Sequence, residues 1–482
     1  MKYYCLGIKG SGMATLACLL HDLGNSVSGY DDVTDWKFTE VGLDDRKIPI
    51  YYDGNHELDK DTIVTYSKAL SEDHKELKRV RELGLVVKAY NQIIGELTEK
   101  FKTVSVCGTH GKTTTSSLIS HVLNNVYGCN YFIGDGRGHA DKNNELFVIE
   151  SDEFNRHFLA YHPTIAVITN IELEHTECYN DIDDIIKTFE QFSYQTKDLI
   201  IACGDNSNVR KINFDKKVIF YGFNENNEYV AKNILIDKNG SSFDVYHNGE
   251  LFGHFNVPLY GNHMVLDSLA CIITCNYLGV SNDKITELFK SFHNAARRFA
   301  ESTFGDIVTI DDYAHHPTEI RVTLEAARQK YPDKQIIAVF KPNTYSRTAA
   351  FVKDFADSLS IADKVFMTEI DCNREKQEDY PGITSNLVLD NIKNGEIIDE
   401  DSVSKLLQYK NAVICFMSCA SISHLKDKYE ELLPGTHHLT IMPNTPAKVL
   451  EGTTLFEKDN TLTAEELNYV QTMFESIGEV YL

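Results

Sequence analysis

The stretch VSVCGTHGKTTT, residues 104–115, constrains this chain more than any other. An apolar run ends at a glycine, a second glycine precedes Lys112 and Thr113, and an apolar face then recurs at helical spacing through Leu118, Ile119, Val122 and Leu123. That order predicts a strand, a tight loop and a helix, with backbone N–H groups at the helix N-terminus facing an anion. The usual phosphate loop reads G-x-x-x-x-G-K-[ST], whereas the position six before Lys112 is Val106 and the additional glycine is Gly108. The parts needed for a phosphate cradle are nevertheless present: backbone from Gly108 through Thr109 and His110 to Gly111, a charge-neutralising Lys112, and hydroxyls at Thr113 and Thr114.

A chain of 482 residues is too long for one ordinary core and predicts about three domains at roughly 150 residues each. Residues 1–102 begin strand, glycine turn, helix, and continue in short apolar runs alternating with helical patterns, the signature of a Rossmann-like parallel sheet. A second unit, 103–298, carries the phosphate loop. Its strand-like runs at 147–149 and 165–168 end in polar residues, and 218–257 reads as hairpins with turn signals at NENNE and DKNGS. A third unit, 299–433, alternates IVTIDDY and IIAVF with a helical stretch at 319–330, and residues 434–482 form an appendage. The expected class is α/β throughout.

A formal net charge of -24 argues against general binding to nucleic acid or to an anionic membrane. No apolar run reaches the roughly eighteen residues of a membrane span, and glycines interrupt the N-terminal apolar stretch where a signal peptide would be continuous. Eleven cysteines without a C-x-x-C pair fit a reducing cytoplasm better than a disulfide framework or a zinc module.

Chemistry beyond the loop concentrates at strand ends. Glu150 and Glu153 follow a buried-looking strand and offer hard oxygen ligands for magnesium, and His175 follows the next strand beside acids, as a ligand for metal or substrate. The N-terminal turn GIKGSGM has its glycines in the order G-x-x-G-x-G, so Gly10, Ser11 and Gly12 suit a diphosphate at a helix N-terminus. Asp31 lies near the ribose-binding distance of about twenty residues, but the glycine order disfavours a nicotinamide dehydrogenase. On the residues alone, the tandem His315 and His316 leaves packing and catalysis both open.

The motifs GIKGSGM, GTHGKTTT, TNIELEH, RRF, DDYAHHPTE and TYSRT, in that order over residues 1–433, resemble the Mur ligases of peptidoglycan synthesis. Within them the pattern is similar to the branch that joins L-alanine to UDP-N-acetylmuramate. The resemblance implies a Rossmann-like UDP-sugar domain, a central P-loop ATPase domain and a Rossmann-like C-terminal amino-acid domain, with ATP and Mg2+ required. It makes residues 108–114 the ATP loop, with Thr113 and Glu150 as magnesium ligands, His175 with a second magnesium and the substrate, and Glu153 near the substrate. It places His263, Arg298 and Asp312 with the nucleotide, Tyr313 and His316 with the substrate, and Lys112, Glu150, His175, His315 and Arg347 in catalysis.

Several positions depart from the family pattern. The adenine motif G-x-H-N-x-x-N reads GNHMVLD, with Met264 and Asp267 at the two asparagine positions. Lys341 and Asn343 stand where glutamine and histidine are usual, Ser418 and Ala420 where glycines are, and Glu174 replaces an aspartate. These changes keep open a second reading, a Mur-fold nucleotide-binding or regulatory protein with impaired catalysis. The tail IMPNTPAKVLEG…IGEVYL resembles an internal piece of pyrroline-5-carboxylate reductase, without the dinucleotide loop or the dimer-forming helices, and no reductase activity is expected from it.

Overall fold

The computed structural model describes residues 1–433 apart from 38, 68–69, 176–177, 238, 296, 373–374 and 420–421, and, within the tail, residues 441–443, 452–456, 462–475 and 478–481. The chain divides into two compact units, Met1–Ala295 and Ala296–Leu482.

The first unit contains two sheets. A five-stranded parallel sheet runs in the order Ile50–Tyr51, Ser26–Tyr30, Lys2–Leu6, Thr62–Tyr66, Val86–Ala89. Helix Ser11–Asp22 buries Leu16, Leu19 and Leu20 in its core, the face that the leucine spacing predicts.

A ten-stranded sheet follows. Within it the strand Lys102–Cys107 pairs in parallel with Ile165–Ile168 on one side and Leu146–Glu150 on the other. Helices cover both faces of such a strand, so its apolar run is nearly continuous: all but its first residue are buried. Val104 and Val106 pack with Leu118, Ile119, Val122 and Leu123 of helix Lys112–Tyr127 in one apolar cluster, which also takes in Val265 and Leu269 of helix Asn262–Tyr277. Parallel pairing around Lys102–Cys107 aims the polar residues after each neighbouring strand at the same edge, where the phosphate loop lies.

At the far side of this sheet, Tyr229–Asp237, Gly240–His247 and Glu250–Val257 form two antiparallel hairpins. The turn signal at DKNGS is therefore a hairpin, but the one at NENNE is not. Strand Lys217–Gly222 pairs with Tyr229–Asp237 in parallel, through Tyr221 with Tyr229 and Gly222 with Val230. The cause is tertiary: the Asp205 carboxylate accepts from the Phe223 N–H at 2.6 Å, the Asn224 N–H at 3.2 Å and the Asn227 amide at 2.7 Å, folding the connection outward.

The second unit holds a six-stranded sheet in the order Ala300–Phe304, Ile307–Asp312, Ala412–Met417, Gln335–Phe340, Lys364–Met367, Gly395–Ile397. It is parallel except for the edge hairpin formed by its first two strands. In the tail, Gly452–Phe456 pairs antiparallel with Ile441–Pro443 and parallel with Gly478–Tyr481, the parallel connection passing through helix Ala464–Glu475. Most of the segment PNTPAKVLEG that carries the reductase resemblance lies outside the described residues.

Candidate functional site

Helix Lys112–Tyr127 starts at Gly111, whose φ of 82° lies in the left-handed region and whose lack of a side chain leaves the first helical turn uncapped. The N–H groups of that first turn have no intrahelical acceptor, so they are the groups offered to an anion. The loop before them is pinned from the neighbouring strand end. Asn170 accepts from His110 N at 2.9 Å through its side chain and from Thr109 N at 3.0 Å through its carbonyl, and its amide donates back to His110 O at 3.0 Å. The Thr169 hydroxyl donates to the same carbonyl at 2.6 Å, and Glu172 N donates to Thr109 Oγ1 at 2.8 Å. Thr169 and Asn170 thus fix the shape of the cradle. Their signal in the sequence was a pair of amide and hydroxyl side chains directly after a short fully apolar strand.

Lys112 Nζ donates to Gly108 O at 2.6 Å and Thr109 O at 3.0 Å, and pairs with Glu153 Oε2 at 3.0 Å. Burial alone would lower its pKa, but Glu153, Asp152 and Glu150 outweigh that and hold the ammonium above its ordinary value, so it is charged at every physiological pH. Burial pushes the Glu153 carboxyl up, with Lys112 opposing. Thr113 Oγ1 donates to Glu150 Oε1 at 3.0 Å, and Gly134 N donates to Glu150 Oε2 at 2.7 Å, so the predicted hydroxyl and carboxylate do meet.

His175 lies with a carboxylate other than the one that Thr113 meets. Its Nε2 lies 3.8 Å from Glu153 Oε1, and Asp152, Glu153 and His175 offer ligand atoms that all lie within 4.8 Å of one another. Asp152 is a residue that the sequence reading passed over. Thr113 with Glu150 supplies hard oxygens beside the loop, and Asp152, Glu153 and His175 supply a second set of oxygen and imidazole donors, a donor chemistry that fits magnesium. The backbone here is held under strain: His175, Asn155 and Arg156 have φ of 54°, 50° and 55°. Arg156 pays for its conformation with an ion pair to Asp184 at 2.7 Å, and the buried Tyr179 hydroxyl donates to Glu153 O at 2.6 Å. Tyr179→Phe is expected to lower turnover severalfold while costing about 1 kcal/mol of stability, read from steady-state rates and thermal unfolding.

On helix Asn262–Tyr277, His263 is half-buried, and Met264 and Asp267 are buried. A Cβ added at Gly111 would lie 2.5 Å from Asp267 Oδ1, so this carboxylate sits directly over the loop glycine.

In the N-terminal turn, Gly10 caps helix Ser11–Asp22 in an extended conformation, and Gly7 has φ 74°. A Cβ at Gly12 would meet the Tyr90 hydroxyl at 2.9 Å. Asp31 braces this turn: its carboxylate accepts from Lys9 N at 2.9 Å and Val33 N at 3.0 Å. Ser11, with Thr15, Thr39, Arg46, Asp135 and Arg137, lines a cavity of about 240 Å³.

Arg298, Asp312, Tyr313, His315 and His316 gather around the end of Ile307–Asp312. The buried Asp312 carboxylate accepts from Phe299 N at 2.7 Å, Ala314 N at 2.8 Å and Thr323 Oγ1 at 3.2 Å, so its bonds shape the loop. Burial raises its pKa against the pull of Arg298, which stacks over the Tyr313 ring at 5.0 Å. His315 Nδ1 lies 3.1 Å from Glu319 Oε2, and His316 caps helix Pro317–Lys330 by accepting from Thr318 N at 3.3 Å. Arg347 lies on the short helix Tyr345–Ala350, whose first N–H groups, of Tyr345 and Ser346, donate to Glu375 at 2.7 and 3.1 Å. Ser418, at an expected glycine position, is accommodated because its hydroxyl donates to Lys341 O at 2.9 Å. Ala420 lies outside the described residues.

Comparison with known proteins covers nearly the whole chain. Residues 2–102 match the Mur ligase family catalytic domain, 106–275 the Mur ligase middle domain, and 297–417 the Mur ligase glutamate ligase domain. The chain is 42% identical to the UDP-N-acetylmuramate--L-alanine ligase of Levilactobacillus brevis, over 92% of this chain and 99% of that protein. It is 43% identical to the enzyme of the same name from Lactiplantibacillus plantarum, over 89% and 98%. Among solved structures, the UDP-N-acetylmuramate-alanine ligase of Thermotoga maritima superposes with a TM-score of 0.72 at 25% identity, covering 89% of this chain and 98% of that one. A MurF ligase from Thermotoga maritima in complex with ADP shares the fold, with a TM-score of 0.61 at 17% identity, over 84% and 94%. With its three domain matches in order and its cradle built as the motifs require, the chain belongs to the Mur ligase family.

Proposed function

We propose that this chain joins L-alanine to the carboxylate of UDP-N-acetylmuramate at the expense of ATP, in the synthesis of peptidoglycan precursors. The observation that carries the reading is the loop itself: Lys112, the Thr113–Glu150 pair and the uncapped first helical turn converge on one anion site, in a chain 42% identical over most of its length to a ligase of that name.

A carboxylate does not acylate an amine directly. Transfer of the γ-phosphoryl group of ATP to a carboxylate oxygen releases ADP and yields an acyl phosphate. The L-alanine nitrogen then bonds to the acyl carbon, phosphate leaves, and the nitrogen loses a proton. The helix N–H groups hold the nucleotide phosphates, and Lys112 offsets the charge on the group in transfer. Thr113 and Glu150, with Asp152, Glu153 and His175, would hold magnesium, which supplies further charge neutralisation when bound. Thr169 and Asn170 keep the loop in its receptive shape throughout. Arg298 is proposed to contact the nucleotide, and Tyr313, His315, His316 and Arg347 the substrate and amino acid. Free cysteines throughout support a cytoplasmic location, and no helix among the described residues is long and apolar enough to cross a membrane.

Purified protein is expected to release ADP and phosphate in a manner that needs both UDP-N-acetylmuramate and L-alanine, and to stop when the divalent cation is chelated. Absence of phosphate release with every amino acid would favour the catalytically impaired nucleotide-binding reading that Met264 and Asp267 motivate, and release indifferent to the sugar nucleotide would overturn the ligase reading.

A further inference from the structure

We infer that Lys9, although it stands in the N-terminal glycine turn, is a positioning residue and not a phosphate ligand: it ties the loop 31–40 to that turn and so preforms the wall that receives the nucleoside end of the sugar nucleotide. This rests on the proposed function, with the diphosphate of the sugar nucleotide at Gly10, Ser11 and Gly12.

A lysine beside a phosphate turn commonly reaches the anion, but Lys9 is turned into the protein. Its side chain has no exposed surface, and Nζ pairs with Glu40 Oε1 at 3.0 Å and donates to Asp35 O at 3.2 Å and Thr34 O at 3.4 Å. These three acceptors match the three N–H groups of an ammonium. Burial opposes the charge, but hydrogen bonds with Tyr52 and Glu40 outweigh it and hold the ammonium above its ordinary value, so the contacts persist at physiological pH. The main chain of the same residue grips the loop at both ends: Lys9 N donates to Asp31 Oδ2 at 2.9 Å, and Lys9 O accepts from the Thr39 hydroxyl at 2.7 Å. The loop follows strand Ser26–Tyr30, which pairs in parallel with strand Lys2–Leu6, the strand that leads into the turn. In such a sheet a nucleotide with its phosphates at the first helix N-terminus lays its sugar and base across the end of the second strand. There Tyr52, whose ring lies 4.8 Å from Lys9 Nζ, and Trp36, next to Asp35, are 38% and 55% exposed, aromatic surface of the kind that suits the face of a pyrimidine. A loop anchored before the ligand arrives lowers the entropic cost of binding.

Lys9→Met removes the Nζ contacts and leaves those of Lys9 N and Lys9 O in place. Lys9→Met/Glu40→Gln does the same without stranding a buried carboxylate, and serves should the single variant fail to fold. Trp36 is the one tryptophan of the chain, so its fluorescence reads the loop directly. Either variant of the full chain is expected to show lower Trp36 anisotropy without ligand and to bind uridine and UDP more weakly by the same factor, about tenfold, with ADP binding unchanged. In turnover, KM for UDP-N-acetylmuramate is expected to rise by about that factor with kcat within about twofold of wild type. Weaker binding of UDP with uridine unaffected would make Lys9 a phosphate ligand, an equal loss for ADP would make its role a general structural one, and unchanged anisotropy and affinity in a folded variant would show a loop that holds itself. Each of these overturns the inference and leaves the proposed function standing. Failure of the wild type to bind UDP or UDP-N-acetylmuramate would overturn the proposed function and the inference with it.

Discussion

Lys112→Met is expected to reduce turnover by at least about a thousandfold and also to destabilise the protein, and the two effects are separable. Loss of the ammonium removes the charge placed to stabilise a phosphoryl group in transfer, a role worth several powers of ten in comparable sites. It also strands Glu153, whose side chain is 2% exposed, without its cation. Breaking one partner of a buried ion pair costs about 3 to 5 kcal/mol, because the remaining charge has neither water nor counter-ion. Lys112→Met/Glu153→Gln is therefore expected to regain most of the lost stability, in thermal or urea unfolding, with activity still absent. Unfolding midpoints that stay equal across single and double variants would refute the coupling, and undiminished turnover in either would refute the role of Lys112 in the loop.

Gly108→Ala is expected to abolish nucleotide binding and cost about 2 to 4 kcal/mol. Gly108 has φ 137°, where a side chain is strained, and a Cβ there would collide with the Thr169 hydroxyl and press on Asn170 O at 3.0 Å. Those are the groups that hold Thr109 and His110, so the collision falls on the scaffold of the cradle. Gly24→Ala is the control. Gly24 has φ 85° but open space around it, so the same substitution there carries backbone strain alone, about 1 kcal/mol, and leaves binding unchanged. Comparable losses at the two positions would show that strain, and not the contact with Thr169, sets the cost.

The phosphate loop, its flanking strand and helix, and the α/β class were legible in the sequence because each is written locally, in glycines, an apolar run and a helical face. The strand Ile165–Ile168 was found to its last residue for the same reason. What escaped was set by residues distant in the chain. NENNE has the composition of a hairpin turn, yet Asp205 folds it into a parallel connection. The carboxylates of Asp31 and Asp312 accept from Lys9 N and Val33 N and from Phe299 N and Ala314 N, bonds that the spacing and motif naming these residues do not show. His175 meets Glu153 and Asp152 because of a left-handed turn that no propensity for histidine announces. The closeness of Asp267 to Gly111 depends on how two helices 150 residues apart in sequence pack on one sheet, and a motif comparison sees only the changed letter.

The strand order of the ten-stranded sheet also dictates when the protein can acquire its chemistry during synthesis. Lys102–Cys107 emerges from the ribosome early, but its two neighbours, Leu146–Glu150 and Ile165–Ile168, follow some forty to sixty residues later. Thr169 and Asn170, which mould the loop, arrive after both. The five-stranded N-terminal sheet is complete by Ala89 and can close on local partners. A nascent chain halted near residue 160 would thus carry a finished first sheet and a phosphate motif with every letter present, yet no cradle.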